Sequence, residues 1–94
     1  MLQMTLIIIG KVQRVGFRYS VADFVIQEKL PIVGHVKNLP DGSVEVIAQG
    51  DLEALKSLHR FCTKGPPRAE VREVTQDLIQ ITKLNFSEFF VAND

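Results

Sequence analysis

The hydrophobic positions of this chain change from strand-like to helix-like spacing near its start. Residues 4–9 form an almost continuous apolar, largely β-branched run, which is typical of a central strand covered on at least one face. Residues 10–17 form a loop bounded by glycines. From 18 to 30, apolar side chains recur every three or four positions and predict a helix, which Pro31 should end because proline disfavours helical backbone before it.

The middle of the chain predicts a hairpin and a second helix. Apolar positions in residues 32–39 indicate a strand, and the Pro-Asp-Gly sequence at 40–42 is a typical turn. Residues 43–49 alternate between apolar and polar side chains, as the returning strand of a hairpin does. Asp51 is the expected N-cap of the next helix, and Gly65, followed by two prolines, is its expected end.

The last third of the chain completes the pattern. Residues 69–75 alternate as a strand, residues 76–84 fit either an extension of that strand or a covering loop, and residues 86–91 predict a final strand. The resulting βαββαβ order predicts an α+β, ferredoxin-like sandwich. We expect an antiparallel sheet with two helices on one face, a short extra C-terminal strand, and one domain over residues 1–94.

Composition restricts the possible partners. The 94 residues are 46% hydrophobic and carry no formal net charge, so nothing global favours nucleic acid or a membrane surface. The single cysteine, Cys62, excludes an intramolecular disulfide and is expected to be a buried, inert thiol, which fits a cytoplasmic protein. His35 and His59 lie in different predicted elements without metal-ligand spacing, so we expect no metal. We expect neither a signal peptide nor a membrane span.

The most informative segment is residues 10–18, Gly-Lys-Val-Gln-Arg-Val-Gly-Phe-Arg. A strand, a tight glycine-bounded turn and a helix start leave unpaired backbone N–H groups that converge on one point. Arg18, at the start of the predicted helix, supplies a planar two-pronged donor that matches phosphate oxygens. The segment therefore predicts an anion site.

Two motifs resemble the acylphosphatase family. Residues 10–18 resemble its signature, and residues 34–46, Gly-His-Val-Lys-Asn-Leu-Pro-Asp-Gly-Ser-Val-Glu-Val, resemble a second stretch of it. The resemblance continues over almost the whole chain. It implies a small ferredoxin-like enzyme that hydrolyses the carboxyl–phosphate bond of acyl phosphates, without a metal, another cofactor or a covalent phosphoenzyme.

The resemblance also implies roles for individual residues. Arg18 would bind the phosphoryl group, and Asn38 would orient the attacking water. The backbone that cradles the phosphoryl group would come from Gln13, Arg14, Val15, Gly16 and Phe17. A small-molecule acyl phosphate would be the substrate, and we expect a monomer.

Two departures from the family pattern bear on activity. Arg14 stands where the family usually has glycine, so either the loop relaxes out of positive φ, or strain is tolerated and a cation is added beside the anion. Residues 18–30 are about two residues longer than the family's first helix, and Pro31 replaces an expected glycine. These departures leave open a non-catalytic anion- or partner-binding module. An RNA-binding domain is disfavoured, because paired exposed aromatic residues and net basic charge are lacking.

Overall fold

The computed structural model describes residues 1–92, so Asn93 and Asp94 of the predicted domain lie outside the described residues. Over the described part, the elements follow in the order β1 (Leu2–Lys11), α1 (Phe17–Gln27), β2 (Val33–Asn38), β3 (Val44–Gly50), α2 (Leu52–Lys64), β4 (Glu70–Gln80) and β5 (Phe89–Val91). This is the predicted βαββαβ order with one added C-terminal strand.

The strands form one sheet in the order β4-β1-β3-β2-β5. The pairs β1–β3, β1–β4 and β2–β3 are antiparallel, as predicted for the sheet. The added strand β5 instead runs parallel to β2, which makes the sheet mixed. Residues 81–88 connect β4, at one edge of the sheet, to β5, at the other edge. After this crossing, the chain runs alongside β2 in the same direction as β2.

One face of the sheet carries the core. Every second residue of β1 and β3 is buried there, and the helices cover it: α1 packs on β2 and β5, and α2 packs on β1, β3 and β4. This arrangement confirms the predicted two-layer sandwich. The fully buried side chains of β1, β3 and the two helices include Met4, Leu6, Ile8, Val21, Val44, Val46, Leu55 and Leu58.

The second helix has the predicted bounds and buries the cysteine. It begins after Asp51 and ends at Gly65, although the Asp51 side chain makes no capping hydrogen bond. Cys62 is completely buried on its sheet-facing side, and this burial raises the pKa of the thiol to about 12. The thiol is therefore protonated at neutral pH, as expected for an inert core cysteine.

A bulge in β4 lies next to Gly10. The β1–β4 register shifts there, so Arg72 has no partner on β1, while Val71 and Val74 both pack against the core. Gly10 itself leaves no room for a side chain, since an added Cβ would overlap the Glu70 carbonyl oxygen. The bulge explains how two valines three residues apart share one face.

The C-terminal third differs from its predicted bounds. Residues 76–80 extend β4, and residues 81–88 form a connection, so the open alternative for 76–84 is divided between strand and loop. The final strand begins at Phe89 rather than at residue 86, and Phe86 lies in the preceding connection, where its ring packs edge-on against His35 with centroids 5.5 Å apart. Residues 75–80 are exposed along an edge strand, so no buried alternation marks them in the sequence.

The first helix ends earlier than predicted. It runs from Phe17 to Gln27 and not to residue 30, so Pro31 is not what stops it. Lys29 adopts a left-handed φ of 51°. Its N–H donates to Ile26 O at 3.1 Å and that of Leu30 to Val25 O at 3.0 Å, which together form a Schellman motif. Lysine occupies the position that glycine usually takes in this motif.

We expect Lys29→Gly to raise the free energy of unfolding by about 0.5–1 kcal/mol, because glycine removes the cost of the left-handed conformation. Urea denaturation measures the change. Glu28→Gly is the matched control: Glu28 has φ −85°, so glycine relieves no strain there and should destabilise the protein. Equal destabilisation by both substitutions would contradict the assignment of strain to Lys29.

Candidate active site

Three apolar side chains hold the loop between β1 and α1 against the core. Val12, Val15 and Phe17 are 1%, 9% and 2% exposed, whereas Arg14 and Gly16 are exposed. Phe17, at the end of the loop, belongs to the hydrophobic core. The loop is thus fixed by packing on one side while its other side faces solvent.

The backbone of this loop presents unpaired donors. Gly16, at φ 77°, precedes α1, whose first turn has neither a side-chain cap nor an acidic residue. The first helical bond comes from Ser20 N–H to Gly16 O, at 3.0 Å. Within residues 1–92, the N–H groups from Gln13 to Phe17 donate to no protein acceptor. Such a run of donors at a helix N-terminus has the geometry and the partial positive charge that suit an anion.

Arg14 keeps the backbone conformation expected of a glycine. Its φ is 63°, so the loop has not relaxed out of the left-handed region. Of the two alternatives for this position, tolerated strain is the one observed. The exposed side chain adds a cation to the loop that carries the unpaired N–H groups.

Arg18 lies in the first turn of α1 and reaches the C-terminal strand. Its Nη1 donates to Ala92 O at 3.3 Å, and its guanidinium carbon lies 5.8 Å from the centroid of the Tyr19 ring. Ala92 is itself held to β2 by a 2.9 Å bond from its N–H to Val36 O. These contacts fix the guanidinium at the α1 N-terminus, beside β2.

Asn38 is the last residue of β2 and lies at the same end of the sheet. It pairs with Val44 on β3, and Val44 pairs with Ile8 on β1, so the three residues form one row across the sheet. Alternation from the buried Val36 places the half-buried Asn38 on the face covered by the helices. The loop that follows β1 and the end of β2 are therefore neighbours.

The Gln13 side chain joins these two parts of the site. Its Nε2 donates to Leu39 O at 2.8 Å and to Ser43 O at 2.9 Å. Sequence reasoning assigned a role only to the Gln13 backbone and missed this contact. The available signal was a long amide side chain at a loop position between two apolar residues, Val12 and Val15.

The other ionisable residues of the described range are distributed over several elements of the fold. Among residues 1–92, no three histidine, cysteine or acidic side chains cluster together. His35 lies on the sheet face away from the helices and contacts Glu45, with Nε2 and Oε1 3.1 Å apart. The expectation that no metal is used stays a prediction. The part of the chain that the structure describes also has no helix with the length and apolarity needed to cross a membrane.

The fold and the site together define a ferredoxin-like domain with a loop of unpaired N–H groups at the start of its first helix. The acylphosphatase family profile matches residues 4–90. The acylphosphatase of Marinobacter nauticus is 42% identical over 84 residues, covering 89% of this chain and 88% of that protein. The structure of the Bacillus subtilis acylphosphatase matches with a TM-score of 0.88 and 34% identity over 98% of this chain and 99% of that one. The structure of an acylphosphatase from Coxiella burnetii matches with a TM-score of 0.83 and 36% identity, over 96% of this chain and 90% of that one.

The chain therefore belongs to the acylphosphatase family. It is an enzyme of the class that hydrolyses acyl phosphates to a carboxylate and inorganic phosphate. The fold and activity implied by the two sequence motifs are confirmed.

Substitution of Arg14 distinguishes the effect of its left-handed backbone conformation from the effect of its positive charge. We expect Arg14→Gly to raise the free energy of unfolding by about 1 kcal/mol, since glycine adopts positive φ without steric cost. We also expect a higher KM for an acyl phosphate at low salt, because a cation beside the anion is lost. Arg14→Ala should raise KM in the same way without the gain in stability. Equal stabilisation by both variants would show that φ at this position is not strained.

Proposed function

We propose that the loop of residues 13–17 and Arg18 bind the phosphoryl group of an acyl phosphate, while Asn38 orients the water that attacks phosphorus. The observation that supports this most is the run of N–H groups without protein acceptors, in a loop that leads into Arg18 and is bonded through Gln13 to the turn that follows β2. The reaction breaks the bond between phosphorus and the carboxyl oxygen and releases a carboxylate and inorganic phosphate.

Phosphoryl transfer of this kind has a loose transition state in which charge is spread over three oxygens. Backbone N–H groups at a helix N-terminus complement that charge without reorganising during the reaction. Arg18 keeps its proton throughout and adds a permanent positive charge. Its anchorage by Ala92 limits the rotation of the guanidinium, so that its donors are held at the start of α1.

Asn38 suits the other half of the reaction. A carboxylate is already a good leaving group, so the water needs orientation more than a strong base. The Asn38 carbonyl oxygen accepts a hydrogen bond from the water. Asn38 lies at a strand end and pairs in register with Val44 on β3, so its backbone is held in place. A fixed backbone restricts where the side-chain amide can hold the water relative to the phosphoryl group.

The wider setting of this activity also belongs to the proposal. A neutral chain with one buried, protonated thiol fits a monomer in the reducing cytoplasm that acts on small anionic molecules and binds no nucleic acid. No observation specifically favours the non-catalytic binding module. Arg14 adopts the conformation that the cradle requires, although it is not glycine.

Substitution of the two proposed residues should affect different constants. We expect Arg18→Ala to lower kcat/KM for a small aromatic acyl phosphate about 100- to 1,000-fold and to weaken inhibition by inorganic phosphate. Asn38→Ala should lower kcat by a similar factor while phosphate inhibition stays nearly constant, because only the water loses its acceptor. Release of inorganic phosphate and its inhibition constant are the measurements.

Arg60→Ala is the matched control for charge. Arg60 lies on α2, is exposed and contacts Ser57, so its loss should leave both constants unchanged. Turnover that is the same in wild type, Arg18→Ala and Asn38→Ala would contradict the proposed roles of both residues.

A further inference from the structure

The side chain of Gln13 makes two contacts that are distant in sequence. Its acceptors lie 26 and 30 residues further along the chain, on either side of the turn between β2 and β3. Both are carbonyl oxygens, which only accept, so the amide nitrogen is the atom that must face them. The two N–H groups of one carboxamide therefore hold both strands of the hairpin to the phosphate-binding loop.

The two acceptors lie at the base of the hairpin turn. Leu39 N–H also donates to Ser43 O at 2.9 Å, and Gly42 N–H donates to Leu39 O at 3.1 Å. Ser43 N–H donates to Oδ1 of Asp41 at 3.0 Å, which braces the turn from inside. The turn is thus held by its own hydrogen bonds, and Gln13 holds it as a unit.

Leu39 directly follows Asn38, and Ser43 directly precedes Val44, the partner of Asn38 on β3. Bonds to these two carbonyls therefore hold the backbone of both strands immediately on the turn side of the Asn38–Val44 pair. At its other end, Gln13 is part of the loop whose N–H groups face the anion. Val12 and Val15 are buried in the core, so the loop cannot move towards the hairpin to make up for a lost Gln13 contact.

We propose that Gln13 is a positioning residue: its side chain sets the distance between the phosphate-binding loop and Asn38. This inference rests on the function proposed above, in which the loop binds the phosphoryl group and the Asn38 amide orients the water that attacks it. A misplacement of about 1 Å can cost roughly 100-fold in rate even when both groups are present. The side chain acts through Asn38 and does not touch the substrate.

Removal of the two donors should separate catalysis from binding. We expect Gln13→Met, which keeps the length of the side chain, to lower kcat roughly 10- to 100-fold. The inhibition constant of inorganic phosphate should change by less than about threefold, because the backbone N–H groups of the loop remain. Gln13→Glu also lacks both donors and should lower kcat at least as much. Gln3→Met is the matched control, since Gln3 on β1 loses only a 2.7 Å bond from Gln49 on the far face of the sheet.

A double-mutant cycle with Asn38→Ala tests the route of the effect. If Gln13 acts through Asn38, Gln13→Met should reduce the rate of Asn38→Ala by less than about twofold. An equal reduction in both backgrounds would overturn the positioning role. If Asn38→Ala itself retains wild-type kcat, the proposed function has failed instead, and the two failures are distinguishable.

Amide hydrogen exchange gives a readout that does not depend on turnover. In Gln13→Met, the N–H groups of Leu39 and Gly42 should exchange faster, while those of β1 and α2 keep their protection. Faster exchange throughout the protein would indicate general destabilisation and would overturn the specific role. Unchanged exchange at the hairpin together with reduced kcat would do so as well.

Discussion

The site depends on keeping a run of backbone N–H groups away from protein acceptors. Backbone N–H groups that are buried in protein ordinarily find a protein partner, whereas those on the solvent-facing side of this loop stay available to water or to an anion. The burial of Val12, Val15 and Phe17 holds the loop in place, so that its conformation does not depend on hydrogen bonds from these N–H groups to the protein. Phe17 in turn needs the space beside Gly65, where an added Cβ would stand 3.0 Å from the Phe17 ring. The start of α1 and the end of α2 are thereby linked through one aromatic ring.

The parts of the site that depend on local chain geometry could be predicted from the sequence. A strand, glycines and a helix start within residues 10–18 were enough to indicate a loop with unpaired N–H groups, and the Pro-Asp-Gly turn placed Asn38 at a strand end. The Gln13 contact could not be predicted in the same way. Its acceptors are backbone carbonyls on the β2–β3 hairpin, and a carbonyl has no residue identity that a sequence pattern can show.

The errors in the predicted fold arise where the local side-chain pattern does not mark the true end of an element. Pro31 is a clear stop signal, yet the helix ends at Gln27 because Lys29 adopts a conformation that lysine seldom takes. Similarly, β4 continues to Gln80 although residues 75–80 are exposed and have no buried alternation. Pairing with the central strand β1, and not the local side-chain pattern, decides where β4 ends.

The two departures from the family pattern lie at opposite ends of α1. This helix of 11 residues is about 16 Å long, and its N-terminus is the end that meets the loop of residues 13–17. The altered C-terminus, closed by Lys29 ahead of Pro31, is thus a full helix length from the proposed chemistry. Because α1 is anchored on the sheet by Val21 and Val25, a change in how its far end closes need not rotate its first turn. The unusual helix end therefore bears on stability, whereas Arg14, within the loop itself, is the departure that can act directly on the substrate.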